Sequence, residues 1–246
     1  MTYCVGLSLK SGMVFMSDTR TNAGIDNIST FKKMTVWENA GERVIMMMTA
    51  GNLATTQAVI SLLEERTKAP EDRTNSIMEA PSMFQVARIV GETLRDVIAD
   101  NAQSGQRASS TFNASIILGG QIKGSQARLF LVYPEGNFIE AGADTPFFQI
   151  GETKYGKPIL VRAYDPEMSY ADAVKLLSVS FDSTLKANLS VGMPLDYQVY
   201  EHDSFRAGAS GRITDDNPYF QQISSGWGDA LRDAFASLPD FKLSSK

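Results

Sequence analysis

The chain has 246 residues, 43% of them hydrophobic and 21% charged, with 23 Lys and Arg against 28 Asp and Glu for a net charge of −5. An acidic balance without a basic run excludes the electrostatic footprint of nucleic acid or an anionic membrane, and no apolar run approaches the roughly 20 residues of a spanning helix. One cysteine and one histidine exclude a disulfide scaffold and a multi-histidine zinc site.

The residues from Met1 to Leu7 carry no basic segment ahead of an apolar stretch, so no signal peptide is expected and a cytoplasmic location follows. Thr2 to Leu9 alternates, with Tyr3, Val5, Leu7 and Leu9 on one side, and the pattern resumes at Met13 to Ser17 after Lys10-Ser11-Gly12; this predicts a β-hairpin. A polar stretch from Thr19 to Thr30, with Gly24, Asp26 and Asn27, leads to a second strand pair. Its members are Met34 to Trp37 and Arg43 to Thr49, turned by Asn39-Ala40-Gly41. Beyond Asn52 the apolar period becomes helical as far as Arg66, and a charged, proline-bearing segment from Lys68 to Pro81 interrupts it. A second helix is predicted from an N-cap at Ser82 to Gln103. Strands are predicted at Phe112 to Gly119, Arg128 to Tyr133, Asn137 to Ala141 and Phe147 to Ile150, forming a second antiparallel sheet. Helices at Tyr155 to Ala163 and Ser169 to Asn188, short strands at Tyr197 to Glu201 and Gly211 to Asp215, and an amphipathic helix at Pro218 to Ser237 complete the chain. Hairpin-rich strand groups separated by paired helices predict an α+β fold, a four-layer αββα sandwich of two antiparallel sheets in one domain covering residues 1–246.

Thr2 directly follows the initiator. Removal of Met1 would free an α-amine of reference pKa about 7.7 to 8, placing nucleophile and base on one residue. Asp18 closes the first hairpin, so antiparallel pairing brings it back to the start of the first strand. Lys33, fifteen residues on, begins the next strand; a lysine held by a carboxylate would lower the pKa of a neighbouring hydroxyl and amine. Spacing alone favours a turn aspartate and a solvated lysine. Lys32 and Lys33 point to opposite faces of a strand, so one of the two can serve. Ala50-Gly51-Asn52 marks a strand-to-helix junction, where free N–H groups stabilise an oxyanion. His202, in Glu-His-Asp, has no Gly-x-Ser-x-Gly elbow to accompany it and reads as a surface or interface residue. Cys4 reads as packing, Asp215-Asp216 as a solvated pair, and Trp227 as packing for a terminal segment. No Walker A sequence or dinucleotide fingerprint is present, so no cofactor is expected.

At Thr2-Tyr-Cys-Val-Gly-Leu, Ser17-Asp-Thr-Arg-Thr-Asn-Ala-Gly24, Phe31-Lys-Lys-Met34 and Met48-Thr-Ala-Gly51, the sequence resembles the proteasome β-subunit family, with the blocks in the family's order. The resemblance implies an N-terminal nucleophile hydrolase fold, a homo-oligomer of rings or ring-like helical turns, peptide or unfolded-protein substrates, and a bacterial cytoplasm. An ATPase partner is left unspecified. It implies Thr2 as nucleophile and base, Asp18 as orienting carboxylate, Lys33 as the pKa-lowering ammonium, Gly51 as an oxyanion N–H donor and Arg20 as a loop brace. It also implies a partly apolar pocket near Thr21, Phe31, Thr49 and Leu53. Two departures stand out. Glu152 occupies the position of a neutral hydroxyl, where it would hydrogen-bond the amine and raise its pKa. Asn188 replaces a supporting aspartate, with the following serine displaced to Ser190. Residues 217–246 lack a counterpart in the compact bacterial relatives and are expected to form a subunit contact.

Overall fold

Strand-like and helical periods resolve into twelve strands and five α-helices in this computed structural model, which describes residues 2–22, 28–68, 75–103 and 109–243. Met1, the centre of the polar stretch at 23–27, residues 69–74 of the charged segment, residues 104–108 and the last three residues of the chain lie outside the described residues. The first hairpin is β1 (Tyr3–Ser8) with β2 (Gly12–Asp18), in a register that sets Cys4 opposite Ser17. Within the polar stretch, β3 (Arg20–Asn22) and β4 (Ile28–Thr30) form a small ribbon. Next come β5 (Met34–Asn39) and β6 (Arg43–Gly51), then α1 (Leu53–Lys68) and α2 (Met83–Gln103). Four strands follow: β7 (Ala114–Ile122), β8 (Arg128–Val132), β9 (Phe138–Glu140) and β10 (Phe147–Gly151). The chain ends with α3 (Lys157–Ala163), α4 (Tyr170–Ala187), β11 (Leu195–Glu201), β12 (Ser210–Ile213) and α5 (Pro218–Ala236).

Helix starts follow side-chain capping. Ser82 Oγ accepts the Gln85 N–H at 3.2 Å, as its N-cap assignment predicts, and Asn52 Oδ1 accepts the Thr55 N–H at 3.1 Å to open α1. Ser169 and Asn217 do the same for α4 and α5. Each cap satisfies an N–H that the helix itself leaves unpaired, and contributes about 1 kcal/mol.

One sheet has the strand order β10-β1-β2-β11-β12 and the other β5-β6-β7-β8-β9. This corrects the grouping expected from chain order. The β5–β6 pair joins the later strands rather than the first hairpin, and β10 leaves them to pair with β1. The composition of β6 shows why: Ile45 and Met47 pack toward α1 and α2, while Val44, Met46, Met48 and Ala50 face the other sheet. A strand apolar on both faces cannot lie at a solvated edge, so β6 must be interior, between β5 and β7. In the other sheet Tyr3, Val5, Leu7, Val14 and Met16 pack against α3 and α4 residues such as Leu160, Leu177 and Phe181. Cys4, Met13 and Phe15 fill the space between the sheets. The three apolar cores thus lie in three successive interlayer spaces of an αββα sandwich.

Cys4 is fully buried, and burial pushes its thiol well above the ordinary cysteine range. The native protein is therefore expected to resist alkylation by iodoacetamide at pH 8 and to react stoichiometrically once unfolded in guanidinium; mass spectrometry of both samples checks this.

Candidate active site

The site is built where the edges of several strands converge. Thr2 precedes β1, and its carbonyl accepts the Glu152 N–H at 2.7 Å, extending the β1–β10 ladder by one rung. Gly151, the last residue of β10, has φ +84°, and a Cβ there would lie 1.9 Å from the Thr2 carbonyl oxygen. Only glycine permits that conformation and that approach together. Thr2 is thus seated by the backbone of β10.

Asp18, at the end of β2, returns beside Thr2 as the hairpin register requires. Its Oδ1 accepts the Tyr3 N–H at 3.0 Å and Lys33 Nζ at 2.7 Å, and its Oδ2 accepts the Gly192 N–H at 3.3 Å. Lys33 Nζ also donates to the Arg20 carbonyl at 2.6 Å. Both partners are buried, Asp18 at 0% and Lys33 at 5% exposure. Burial is the largest influence on the Asp18 carboxyl and raises it above the ordinary aspartate range, against the lowering pull of Lys33 and two backbone N–H groups. Lys33 rather than Lys32 makes the bond to Asp18; Lys32 is exposed. The Thr49 N–H donates to the Lys33 carbonyl at 3.0 Å, pinning the lysine's backbone to β6.

Arg20 contributes through its backbone and its guanidinium. Its carbonyl accepts a hydrogen bond from the Lys33 ammonium, and Nη1 donates to the Leu189 carbonyl at 2.8 Å, tying the start of β3 to the loop after α4. Gly51, at the junction of β6 and α1, has φ +120°, and a Cβ there would meet the Asn113 carbonyl at 2.3 Å. The junction is therefore closed to any residue with a side chain, and it lies on the wall of a cavity of about 330 Å³.

Thr2, Thr21, Lys33, Thr49, Gly51 and Leu53 all line that cavity. Phe31 does not: it is 37% exposed, and its N–H is held by the Thr19 carbonyl at 2.8 Å. Residues 31–33 precede β5 and lie outside any sheet ladder, so strand alternation does not carry the Phe31 ring inward. Sequence reasoning missed Thr56, Gln57 and Ile60, which complete the wall from α1. They stand three, four and seven residues after Leu53, so the helical period starting at Leu53 was the signal that could have found them. Lys32, at the rim, was read as pointing away.

Behind Thr2, the two departures from the family pattern touch each other. Asn188, the C-cap of α4, donates Nδ2–H to Glu152 Oε2 at 2.9 Å. Its Oδ1 accepts the Ser190 N–H at 3.0 Å and the Ser190 hydroxyl at 2.6 Å. Glu152 is 8% exposed, so this amide supplies hydrogen bonding that a buried carboxylate requires. A carboxylate matched to an amide replaces the expected hydroxyl matched to a carboxylate.

A family model described as proteasome subunit matches residues 2–193, and the chain belongs to that family. Three solved structures show the likeness at higher identity. Anbu (ancestral beta-subunit) from Yersinia bercovieri is 49% identical with a TM-score of 0.91, covering 98% of this chain and 100% of that one. Anbu from Hyphomicrobium sp. strain MC1 is 49% identical with a TM-score of 0.89 and the same coverage. The helical assembly of the Anbu complex from Pseudomonas aeruginosa is 44% identical with a TM-score of 0.90, covering 98% of each chain. The likeness therefore falls in the Anbu group of proteasome-related subunits. Since coverage by these structures runs well past residue 193, where the family model ends, most of the C-terminal extension is shared with them. No curated protein matches the chain. Among the described residues, no helix is long and apolar enough to cross a membrane.

Removing one member of a buried ion pair strands the other. Asp18→Ala is expected to lower the unfolding free energy by about 3–5 kcal/mol, measured by guanidinium denaturation, whereas truncating a member of the exposed Lys10–Glu167 pair should leave the denaturation midpoint nearly unchanged.

Proposed function

We propose that this chain is a threonine-type N-terminal nucleophile hydrolase that cleaves amide bonds after loss of Met1, acting as one subunit of a homo-oligomer. The observation that carries the reading is the buried Asp18–Lys33 pair, whose lysine lines the cavity together with Thr2. Once freed, the Thr2 amine takes the proton of its own hydroxyl as Oγ adds to the substrate carbonyl. The oxyanion is stabilised by the Gly51 N–H. Collapse of the adduct breaks the C–N bond, and the amine hands its proton to the leaving nitrogen. Water, deprotonated by the same amine, then hydrolyses the threonine ester and restores the free hydroxyl. Lys33 favours the step by placing positive charge beside the forming nucleophile, and Asp18 fixes that charge in position.

Membership of the Anbu group, together with the helical assembly named for the Pseudomonas aeruginosa relative, supports a ring-like or helical homo-oligomer. Sites enclosed by such an assembly admit peptides and unfolded segments. A bacterial cytoplasm suits both. A second reading, an assembly subunit with little turnover or an amidase dedicated to one product, is favoured by the Glu152–Asn188 contact, because the residue whose N–H holds the Thr2 carbonyl carries a carboxylate bonded to an amide where the family has a neutral hydroxyl and a carboxylate.

A threonine-directed electrophile decides between the readings. Processed wild-type protein should be labelled at Thr2, and Thr2→Ala should keep assembly while losing labelling and at least about a thousandfold in peptide turnover. Lys33→Ala should lose about a hundredfold or more. A free but unlabelled Thr2 would transfer the assignment to the assembly subunit, and turnover by Thr2→Ala would remove Thr2 as nucleophile.

The pH dependence follows from Asp18. Its carboxyl is raised by burial, so as pH falls it protonates earlier than an exposed aspartate and ceases to hold Lys33. The acid limb of kcat/KM should accordingly lie above the ordinary aspartate range. A profile that stays flat into that range would count against an ionised Asp18 in the mechanism.

A further inference from the structure

Resting on the reading of the cavity as the substrate pocket, we propose that this pocket selects a carboxylate and that Lys32 specifies it. Lys32 lines the cavity from an exposed position. Among the described residues it makes no ion pair and no hydrogen bond, so its ammonium is free to meet a ligand. Among the described residues, no aspartate or glutamate lines the cavity. Asp18, the partner of Lys33, has Oδ1 committed to Lys33 and the Tyr3 N–H and Oδ2 to the Gly192 N–H, and Glu152 Oε2 is held by Asn188.

The shape of the charge distribution agrees. The cavity wall continues into the first turn of α1, a 16-residue helix whose N-terminal end carries partial positive charge. Asn52 Oδ1 caps only the Thr55 N–H, and the Asn52 carbonyl takes that of Thr56. Lys32 and the helix start therefore act on the cavity with the same sign, and no acid among the described residues lines it. Leu53 and Ile60 offer an apolar surface for a short aliphatic stem, and Gln57 offers an amide. A carboxylate on a two-carbon stem fits that combination; a lysine or arginine side chain would meet like charge. The same chemistry could come from an acidic side chain or from the free C-terminus of a peptide.

The test is binding, read by isothermal titration on the full-length Thr2→Ala variant so that cleavage does not intervene. Four N-acetylated peptides differ only at their last residue: Glu amide, Gln amide, Lys amide, and Gln with a free carboxylate. The Glu amide is expected to bind about fivefold or more tightly than the Gln amide at low salt, with the Lys amide weakest and the preference shrinking as ionic strength rises. Tighter binding of the free-acid Gln peptide than of the Glu amide would assign the carboxylate to a peptide terminus. Lys32→Met in the same background should abolish the preference, and Lys32→Glu should reverse it toward the Lys amide. Equal affinity for Glu and Gln amides, a preference that survives Lys32→Met, or no binding by any of the four at millimolar concentration would each overturn the proposal. Because Thr2 is absent from the assay, a hydrolase assignment that fails by labelling leaves this result standing, and the converse holds as well.

Discussion

A buried charge pair is the constraint around which the rest of the molecule is arranged. Asp18 and Lys33 lie almost wholly out of water, where their mutual attraction repays the loss of hydration only if the remaining hydrogen-bonding capacity is also met. The fold meets it with backbone. Tyr3 and Gly192 supply N–H groups to the carboxylate, and the Arg20 carbonyl accepts a hydrogen bond from the ammonium. Those three groups come from β1, from the loop after α4 and from β3. One ion pair thereby ties together the first hairpin, the ribbon that follows it and a loop more than 170 residues away.

The layers make this possible by removing solvent from both sides of the sheets. Strand β6 carries Ile45 and Met47 toward the helices and Met46 and Met48 toward the opposite sheet, and it ends at Gly51 on the cavity wall. Its rigidity follows from burial on two faces and from pairing on both edges. Because the Thr49 N–H holds the Lys33 carbonyl, a buried interior strand of one sheet fixes the lysine that meets the aspartate of the other. Position at the site is thus inherited from core packing rather than from the mobility of loops.

What distinguishes this chain from the general family pattern is the charge behind Thr2. Glu152 contributes in two ways, its N–H to the Thr2 carbonyl and its carboxylate to Asn188, and Asn188 in turn collects Ser190. Either replacement alone would leave a buried polar group poorly matched. A glutamate facing an aspartate would set like charges together, and a serine facing an asparagine would lack the charge that an amide N–H best satisfies. The pair reads as one coupled change that leaves Thr2, Asp18 and Lys33 in place.

Local sequence determined the elements and several of their ends: the alternation of Tyr3, Val5 and Leu7, the cap at Ser82 and the helical period after Asn52 all correspond to structure, because strand and helix periods and capping are short-range properties. The motif blocks likewise led to Thr2, Asp18, Lys33 and Gly51, whose positions near hairpin ends and strand-helix junctions are encoded within a few residues. Sheet membership was not legible, since alternation says that a strand has two faces but not which strand lies beside it; β10 crossing to β1 and β5–β6 joining β7 are choices of long-range pairing. The same limit applied to the pocket. Phe31 turned outward and Thr56, Gln57 and Ile60 inward because the wall is assembled from a helix face and an irregular segment whose orientations depend on packing against β6, a contact no local pattern contains.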